Sequence, residues 1–571
     1  MGTFQFLNKY RILILMLIFL LYFSFIIPQL DTSFVLDEAA FIDAAKTIAI
    51  KGKPFISDLK SWDNEFYDGT KSFYYHPTLY INILAIIIKI FGENTIALRA
   101  VSALFVFMSS IILYLITKKI AKDKKKELIA LTGILIFLIN PFVIKNGLLI
   151  EINGTVLMLT TLIFTYFFIN KYESKRKKDI VCLGLLMGLV MWSKFEGVIL
   201  LTISLFVFYF LKKGFKEAFV RTAIISTIGI GLFSLSWLPV ATIQGIDFFA
   251  PFKHNLMNLV PEIGKCQLLQ KTFYMTWTIK NFFFWMTPTF LLLGLFIIIK
   301  KIQKYIKRTF INKADFLIIF SFILLILATL RGGDAYGFPK YVVLAVPFLS
   351  IIISIFVINN NYLDKISSKK NIAIILTLVV LLMAFNFIVI KDPFIDHNLF
   401  WTKHLLLDKD MFLYFMANLK GIIFFIPIII TFLVLLLLKL NMKQTFIISC
   451  FFLIFINSFY ISYIQSRAGY STIYAYGQEG LKETADFLKK VTDDEDAIVG
   501  RYDVCYHTKL KCYESYPTTK PWDDIIKNAL KDKNLKYAVF TPSDRPEEFP
   551  DLETLFSLEK EIGHFVVHKR K

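Results

Sequence analysis

Charge is scarce in this chain, and acid scarcer than base: 19% of its 571 residues are charged, with 44 acids against 64 lysines and arginines. A water-soluble globule of this size needs a far larger polar fraction to cover its surface, so that class is excluded. Cysteine is rare too, with five residues scattered along the chain, which rules out a disulfide scaffold. No glycine-rich phosphate fingerprint stands where a nucleotide-binding fold would need one. Short-period repeats and low-complexity linkers are also missing.

What is present instead is apolar. Hydrophobic residues make up 56% of the chain, in recurring runs of roughly eighteen residues or more, the length a helix needs to cross hydrocarbon. Spanning segments must satisfy their own backbone, and runs this long read as helices rather than barrel strands. The net charge of +20 could signal nucleic acid. Its distribution excludes that partner, because the basic residues gather in short clusters between apolar runs: Lys118 to Lys126, Lys171 to Lys178, Lys212 to Arg221 and Lys300 to Lys313. That positive-inside pattern reports topology and puts these loops in the cytoplasm. From Asp31 to Pro77 acids outnumber lysines, which assigns this segment to the outside. The first run, Ile12 to Ile27, follows Lys9 and Arg11 and is followed by no small-residue cleavage site. It is expected to stay as an anchor, with the N-terminus cytoplasmic.

These patterns predict a polytopic α-helical membrane protein of the cell membrane, with about thirteen transmembrane helices, near 11–30, 95–117, 127–145, 148–170, 180–194, 196–211, 219–240, 278–299, 314–330, 340–358, 371–390, 421–438 and 444–463. The membrane part covers residues 1–463, with outer loops at 31–94, 241–277 and 391–420. Thr78 to Ile90 is apolar but short; counting it as a span would invert every later loop, so it is expected to be re-entrant or interfacial. Glu38 to Ile50 is expected to lie along the membrane surface as an amphipathic helix, ended by Gly52 and Pro54. Residues 464–571 turn polar and predict a small extracytoplasmic α/β domain. Its helices are expected at Glu479 to Val491 and Pro521 to Lys531, its strands at Ala497 to Val504, Lys536 to Thr541 and His564 to His568. Cys505 and Cys512 sit close together there, where an oxidising exterior allows a bridge, although Cys266 in an outer loop could compete.

Several positions carry chemistry. Asp37 and Glu38, adjacent acids just beyond the first span, suit a general base or a metal site acting on a lipid-borne substrate. Neighbours on a helix point about 100° apart, so one of the two faces the reaction. The plainer account is a helix cap at Asp37 and a first-turn acid at Glu38. In the run Tyr74 to Tyr80, Pro77 suits a helix start and Tyr75 a membrane interface. His76 between them could bind phosphate or a metal, or be structural. Glu151 lies inside an apolar stretch, where an unpaired acid is costly; a salt bridge to Lys145 is the alternative to a functional role. Arg331 and Lys340, at the entry to a later span, could clamp a lipid phosphate or simply snorkel to the interface. Lys194, in the stretch Trp192 to Gly197, sits at an expected hairpin tip where Glu196 offers a local ion pair.

The order of these features carries more than any one of them. An acidic pair follows the first span, then a His-Pro-x-Leu helix start, then Phe91-Gly92-Glu93 through Arg99. An acid after the third span follows, then Gly184 to Gly197 with Lys194, then Pro339-Lys340-Tyr341 to Pro347. In this the chain resembles the C-type glycosyltransferase superfamily, specifically the protein O-mannosyltransferase and lipid A aminoarabinose transferase branch. The resemblance covers roughly residues 1–350 as motifs and the rest as architecture. It implies a polyprenyl-phosphate sugar donor, a protein, glycan or lipid acceptor, and inverting transfer on the extracytoplasmic face. By the same resemblance Asp37 would be the base or metal-linked acid, Glu38 its neighbour and Glu151 the second-loop acid. Lys194, Arg331 and Lys340 would meet the donor phosphate, with His76 and Tyr75 as further substrate-binding candidates. A divalent cation (Mg, Mn or Zn) would sit at Asp37 if one takes part. The chain departs from the pattern at Thr78, where a second proline is common, and at Lys340, where arginine is common. A flippase or transporter of lipid-linked sugars is the rival expectation, although it should show internal repeats or paired broken helices. A non-catalytic subunit whose outer domain binds a partner is the third.

Overall fold

The computed structural model describes residues 3–34, 37–52, 78–121, 125–244, 247–249, 285–306, 311–331, 342–359, 480–513, 522–540, 552–563 and 565–571, with isolated positions near 280 and 455. The first apolar run forms α1 (Thr3–Ile26). It is followed by α2 (Asp37–Lys51), α3 (Leu79–Phe91) and α4 (Thr95–Ile120). Asn94 starts α4, its side-chain oxygen accepting the Ala97 N–H at 2.9 Å, as an N-cap asparagine does.

The next apolar stretch does not run straight. α5 (Lys126–Leu138) and α6 (Pro141–Leu148) meet at a bend of 61°. Asn140 causes it by leaving the helical conformation and capping α6 through the Phe142 N–H at 3.0 Å, with Pro141 in the first turn. The backbone is extended at Leu149 and resumes as one π turn (Asn153–Leu157) leading into α7 (Met158–Lys171). α8 (Lys177–Ser193), α9 (Phe195–Lys213) and α10 (Phe215–Gln244) follow. α8 and α10 approach closely because Gly188 and Gly229 face each other: a Cβ on either would lie 3.0 Å from the other's backbone. Then come α11 (Pro288–Ile306), α12 (Asp315–Arg331) and α13 (Ala345–Asn359).

Among the described residues five helices are long and apolar enough to cross a membrane, or six if the bent pair counts as one span. The chain is thus a multi-pass membrane protein. The expected number of about thirteen spans is not reached by this count. The spans expected near 371–390 and 421–438, and most of that near 444–463, lie outside the described residues. So do the expected outer loop at 391–420 and most of that at 241–277.

Helix α2 departs from expectation. It was expected to be amphipathic, yet every side chain from Glu38 to Ala45 is buried. Its alanines, Ala39, Ala40, Ala44 and Ala45, make it thin enough to be covered on all sides, by α3 and by the C-terminal region.

The C-terminal region is the α/β unit expected. α14 (Leu481–Val491), α15 (Tyr502–Thr508) and α16 (Trp522–Ala529) pack with β1 (Ala497–Gly500), β2 (Lys511–Tyr513), β3 (Leu535–Phe540), β4 (Phe556–Ile562) and β5 (Phe565–Arg570). The sheet order is β2-β1-β3-β5-β4, with β1 parallel to β2 and β3, and β5 antiparallel to β3 and β4. The strand expected at Ala497 to Val504 stops at Gly500, which lies too close to the Val539 carbonyl for a side chain; from Tyr502 the chain is helical. β4 was not expected because five of its seven residues are exposed and three of those are charged, as suits an edge strand. Cys505 and Cys512 are joined as a disulfide that ties α15 to β2, their Cα atoms 5.7 Å apart.

Candidate active site

Three interruptions of helix meet at one end of the bundle: the loop before α2, the break from Leu149 to Ile152, and the single extended residue Lys194 between α8 and α9. Backbone freed at membrane depth is tolerated only where protein covers it and supplies hydrogen bonds. Here Arg99 of α4 supplies most of them.

Arg99 is 2% exposed and uses its guanidinium as a hub. Nη1 and Nη2 donate to the two oxygens of Glu38 at 2.6 and 2.9 Å, a bidentate pair. Nε donates to the Thr32 carbonyl at 3.1 Å, Nη2 to that of Ser33 at 2.9 Å, and Nη1 to that of Leu148 at 2.6 Å. The Phe34 ring lies 5.4 Å from the guanidinium carbon. Glu38 in turn accepts the Ile150 N–H at 3.0 Å. One planar cation therefore pins the loop before α2, the end of α6 and the break behind it. Arginine suits this task because its five donors lie in a fixed fork.

Asp37 is the first residue of α2 and partly exposed, beside the fully buried Glu38. With Glu38 turned to Arg99, the helical step of about 100° aims Asp37 at a different sector. A carboxylate in the first turn of a helix is favoured by the exposed N–H groups there.

Glu151 and Lys194 are 2% and 3% exposed and joined through one side chain. Asn153 donates from Nδ2 to Glu151 at 2.7 Å, and its Oδ1 accepts Lys194 Nζ at 3.0 Å. Lys194 also pairs with Glu196 at 3.1 Å, the local partner anticipated for it. Lys145 stands with its ammonium 3.7 Å from the centre of the Trp285 ring. Tyr80 of α3 shares a hydrogen bond with Ser102 at 2.7 Å and lies within electrostatic reach of both Glu38 and Glu151. Gly154 is required beside this row, because a Cβ would lie 2.3 Å from the Asn146 side chain, whose buried Oδ1 accepts no hydrogen bond among the described residues.

The C-terminal region closes on the same loop. Nε2 of His507 lies 2.9 Å from the Phe34 carbonyl oxygen, and the two rings are nearly parallel at 6.5 Å. Tyr506 donates to Glu93 at 3.2 Å, and Lys46 of α2 pairs with the same carboxylate at 3.2 Å. Burial holds the His507 imidazole below its ordinary value of 6.5.

The structure thus brings together Asp37, Glu38, Glu151 and Lys194 of the sequence candidates. Tyr75, His76 and Lys340 lie outside the described residues, as does the side chain of Arg331. Arg99, Tyr80, Asn153 and His507 were missed as site residues. For Arg99 the signal was available: an arginine inside an apolar span is a functional candidate by default. No three His, Cys, Asp or Glu among the described residues could hold a metal ion together. Glu38, the natural second ligand beside Asp37, is bound to Arg99 instead.

Residues 75–240 match the family model described as dolichyl-phosphate-mannose-protein mannosyltransferase. No curated protein matches the chain in sequence. Among solved structures it is similar to ArnT from Cupriavidus metallidurans bound to undecaprenyl phosphate, at 12% identity over 98% of both chains with a TM-score of 0.62. It is also similar to the archaeal oligosaccharyltransferase AglB from Archaeoglobus fulgidus, in complex with an inhibitory peptide and a dolichol-phosphate. That match has 12% identity over 94% of this chain and 70% of that one, with a TM-score of 0.54. The chain has the fold of the C-type glycosyltransferases. Its resemblance is to the protein mannosyltransferases over residues 75–240 and, in fold, to ArnT.

Proposed function

We propose that the protein is a membrane glycosyltransferase that moves a sugar from a polyprenyl-phosphate donor to an acceptor hydroxyl or phosphate on the extracytoplasmic face, with inversion. The observation that carries this reading is the division of labour between adjacent acids: Arg99 holds both oxygens of Glu38, while Asp37 starts its helix facing elsewhere. Glu38 would act as a positioning residue and Asp37 as the base. With a hydroxyl acceptor, its oxygen attacks the anomeric carbon and gives its proton to Asp37. The bond from that carbon to the lipid phosphate oxygen breaks on the opposite side, which inverts the centre. The departing phosphate gains negative charge, and basic groups stabilise it; Lys194, Arg331, Lys340 and His76 are the candidates. The likeness to structures holding undecaprenyl phosphate and dolichol-phosphate supports a lipid-phosphate donor. Which sugar moves is a matter for assay.

The test is transfer of radiolabel from a panel of polyprenyl-phosphate sugars to native acceptors, using membranes that carry wild type or Asp37→Asn at matched protein level. Label reaching an acceptor with wild type but not with the variant supports the reading. Equal transfer removes Asp37 from the chemistry, and donor movement across the bilayer without transfer favours a flippase.

A further inference from the structure

The other end of the bundle holds a second polar feature that the transfer reaction does not use. Lys194 immediately precedes α9 and Lys212 lies in its last turn, so with a rise of about 1.5 Å per residue the two ends stand roughly 27 Å apart, nearly a bilayer's hydrocarbon thickness. A cavity of about 290 Å3 opens there between the end of α7, the end of α9 and the start of α10. Its lining carries four cations, Lys175, Lys212, Lys213 and Arg221, against two carboxylates, Glu173 and Glu217.

Two of these cations serve the fold. Arg221 donates to the Tyr172 carbonyl at 2.9 Å and the Ser174 carbonyl at 3.3 Å, which closes the C-terminus of α7, and it pairs with Glu217 one turn back. Lys212 pairs with Glu173 at 2.8 Å and donates to the Tyr172 hydroxyl at 3.1 Å. These pairs consume both carboxylates of the cavity. Lys175 and Lys213 are exposed and form no ion pair within 4.0 Å among the described residues. The cavity is left with a surplus of positive charge at its mouth.

The mouth also adjoins an apolar surface. Lys213 stands four residues after Tyr209 of the cavity and three after Phe210, so it lies between a polar face of α9 and an apolar one. On the apolar face the Phe206 and Phe210 rings stack at 6.1 Å, and Phe215 meets Phe206 edge-on at 5.9 Å. Phe210 and Phe215 are 47% and 63% exposed, as rings facing lipid chains would be. A free inorganic anion would use only the cations. A lipid with an anionic head and an acyl chain would use both surfaces at once.

We propose that this cavity is a binding site for an anionic phospholipid on the membrane face opposite Asp37. The phosphate sits between Lys175 and Lys213 above the Lys212–Glu173 pair, and an acyl chain runs along Phe210 and Phe206. Charge-assisted hydrogen bonds from ammonium groups to phosphate oxygens hold the head, and the membrane surface supplies the ligand at high local concentration. The site is independent of the transfer reaction proposed above.

Native mass spectrometry of the full-length chain, released from vesicles of equal phosphatidylglycerol and phosphatidylcholine, tests it. Wild type should retain phosphatidylglycerol in preference. Lys175→Ala with Lys213→Ala should lower that retention roughly tenfold or more, because it removes the two charge-assisted contacts to the phosphate. Lys177→Ala with Lys178→Ala removes the same charge from the start of α8, outside the cavity lining, and should leave retention within about twofold of wild type. Equal loss in both double variants would reduce the effect to general surface charge and overturn the proposal, as would no loss in either. Full displacement of the lipid by inorganic phosphate at matched concentration would reassign the site to a soluble anion.

Discussion

The two ends of the helical bundle use the same side-chain types in opposite ways. At the Asp37 end Arg99, Glu38, Glu151 and Lys194 are all at most 3% exposed and reach across three chain breaks. At the other end Glu173 and Glu217 are 61% and 41% exposed and pair with lysine and arginine near helix ends. Desolvating a charge is expensive, and a buried pair returns that cost only with full hydrogen bonding. Partly exposed pairs cost little and contribute little. Among the described residues the other end also buries acids, Asp315 and Glu127, but each pairs with a lysine that is still 30% or 27% exposed. A pair buried on both sides, Arg99 with Glu38, stands at the Asp37 end, where a site that must hold geometry belongs.

The sharpest test of that contrast is Asp37→Asn. It should lower transfer by roughly 10²- to 10⁴-fold, the range for a lost general base. The melting temperature should stay at that of wild type, because the Arg99 hub is untouched. A loss of folding instead would make Asp37 structural.

Arg99→Ala strikes the hub itself. It leaves the buried Glu38 carboxylate without its cation and should destabilise the fold by about 3–5 kcal/mol, with transfer lost in the protein that survives. Detergent-solubilised thermal unfolding would register this. A stable variant that still transfers sugar would remove Arg99 from the site's support.

His507 lies at the seam between the C-terminal region and the loop before α2. Its folded value is held below 6.5 by burial, so the unfolded or undocked form binds the proton more readily. The docking contribution is full above about pH 6.5 and is lost as the pH falls through that value towards the lower folded one. Hydrogen exchange at residues 32–34, corrected for the intrinsic pH dependence of amide exchange, should accelerate as the pH falls from about 7.5 to 5.5 in wild type. In His507→Gln that acceleration should flatten. An unchanged pH response in the variant would break the assignment to His507.

The smallest effect belongs to the other end. Glu217→Gln removes one partner of an exposed pair and should cost less than about 1 kcal/mol, with transfer unchanged. A larger loss there would erase the contrast between the two ends.

Much of the architecture was legible before any tertiary structure. The apolar runs became α1, α4 and α9 near their expected bounds, because burying a helix in hydrocarbon demands a continuous apolar stretch and little else. The helix start at Asp37 and the ending before Gly52 were legible from local chemistry. The bend at Asn140–Pro141 was not anticipated inside an expected span, although a cap residue followed by proline is a local signal. Strand β4 escaped because an exposed edge strand carries no apolar alternation. Asp37, Glu38, Glu151 and Lys194 were visible as costly residues beside apolar runs.

The sequence by itself determined the membrane class, the helical periods and the short list of costly charges, because these follow from local composition and from the price of burying polar groups. Tertiary structure decided which charges meet. Glu38 and Arg99 lie 61 positions apart, and nothing local records that one arginine closes the loop before α2, the end of α6 and the break at Ile150. The same holds for His507 reaching Phe34. Pairing between distant segments is a property of packing, and it is packing that turns Glu38 to Arg99 and leaves Asp37 in a different sector of the helix.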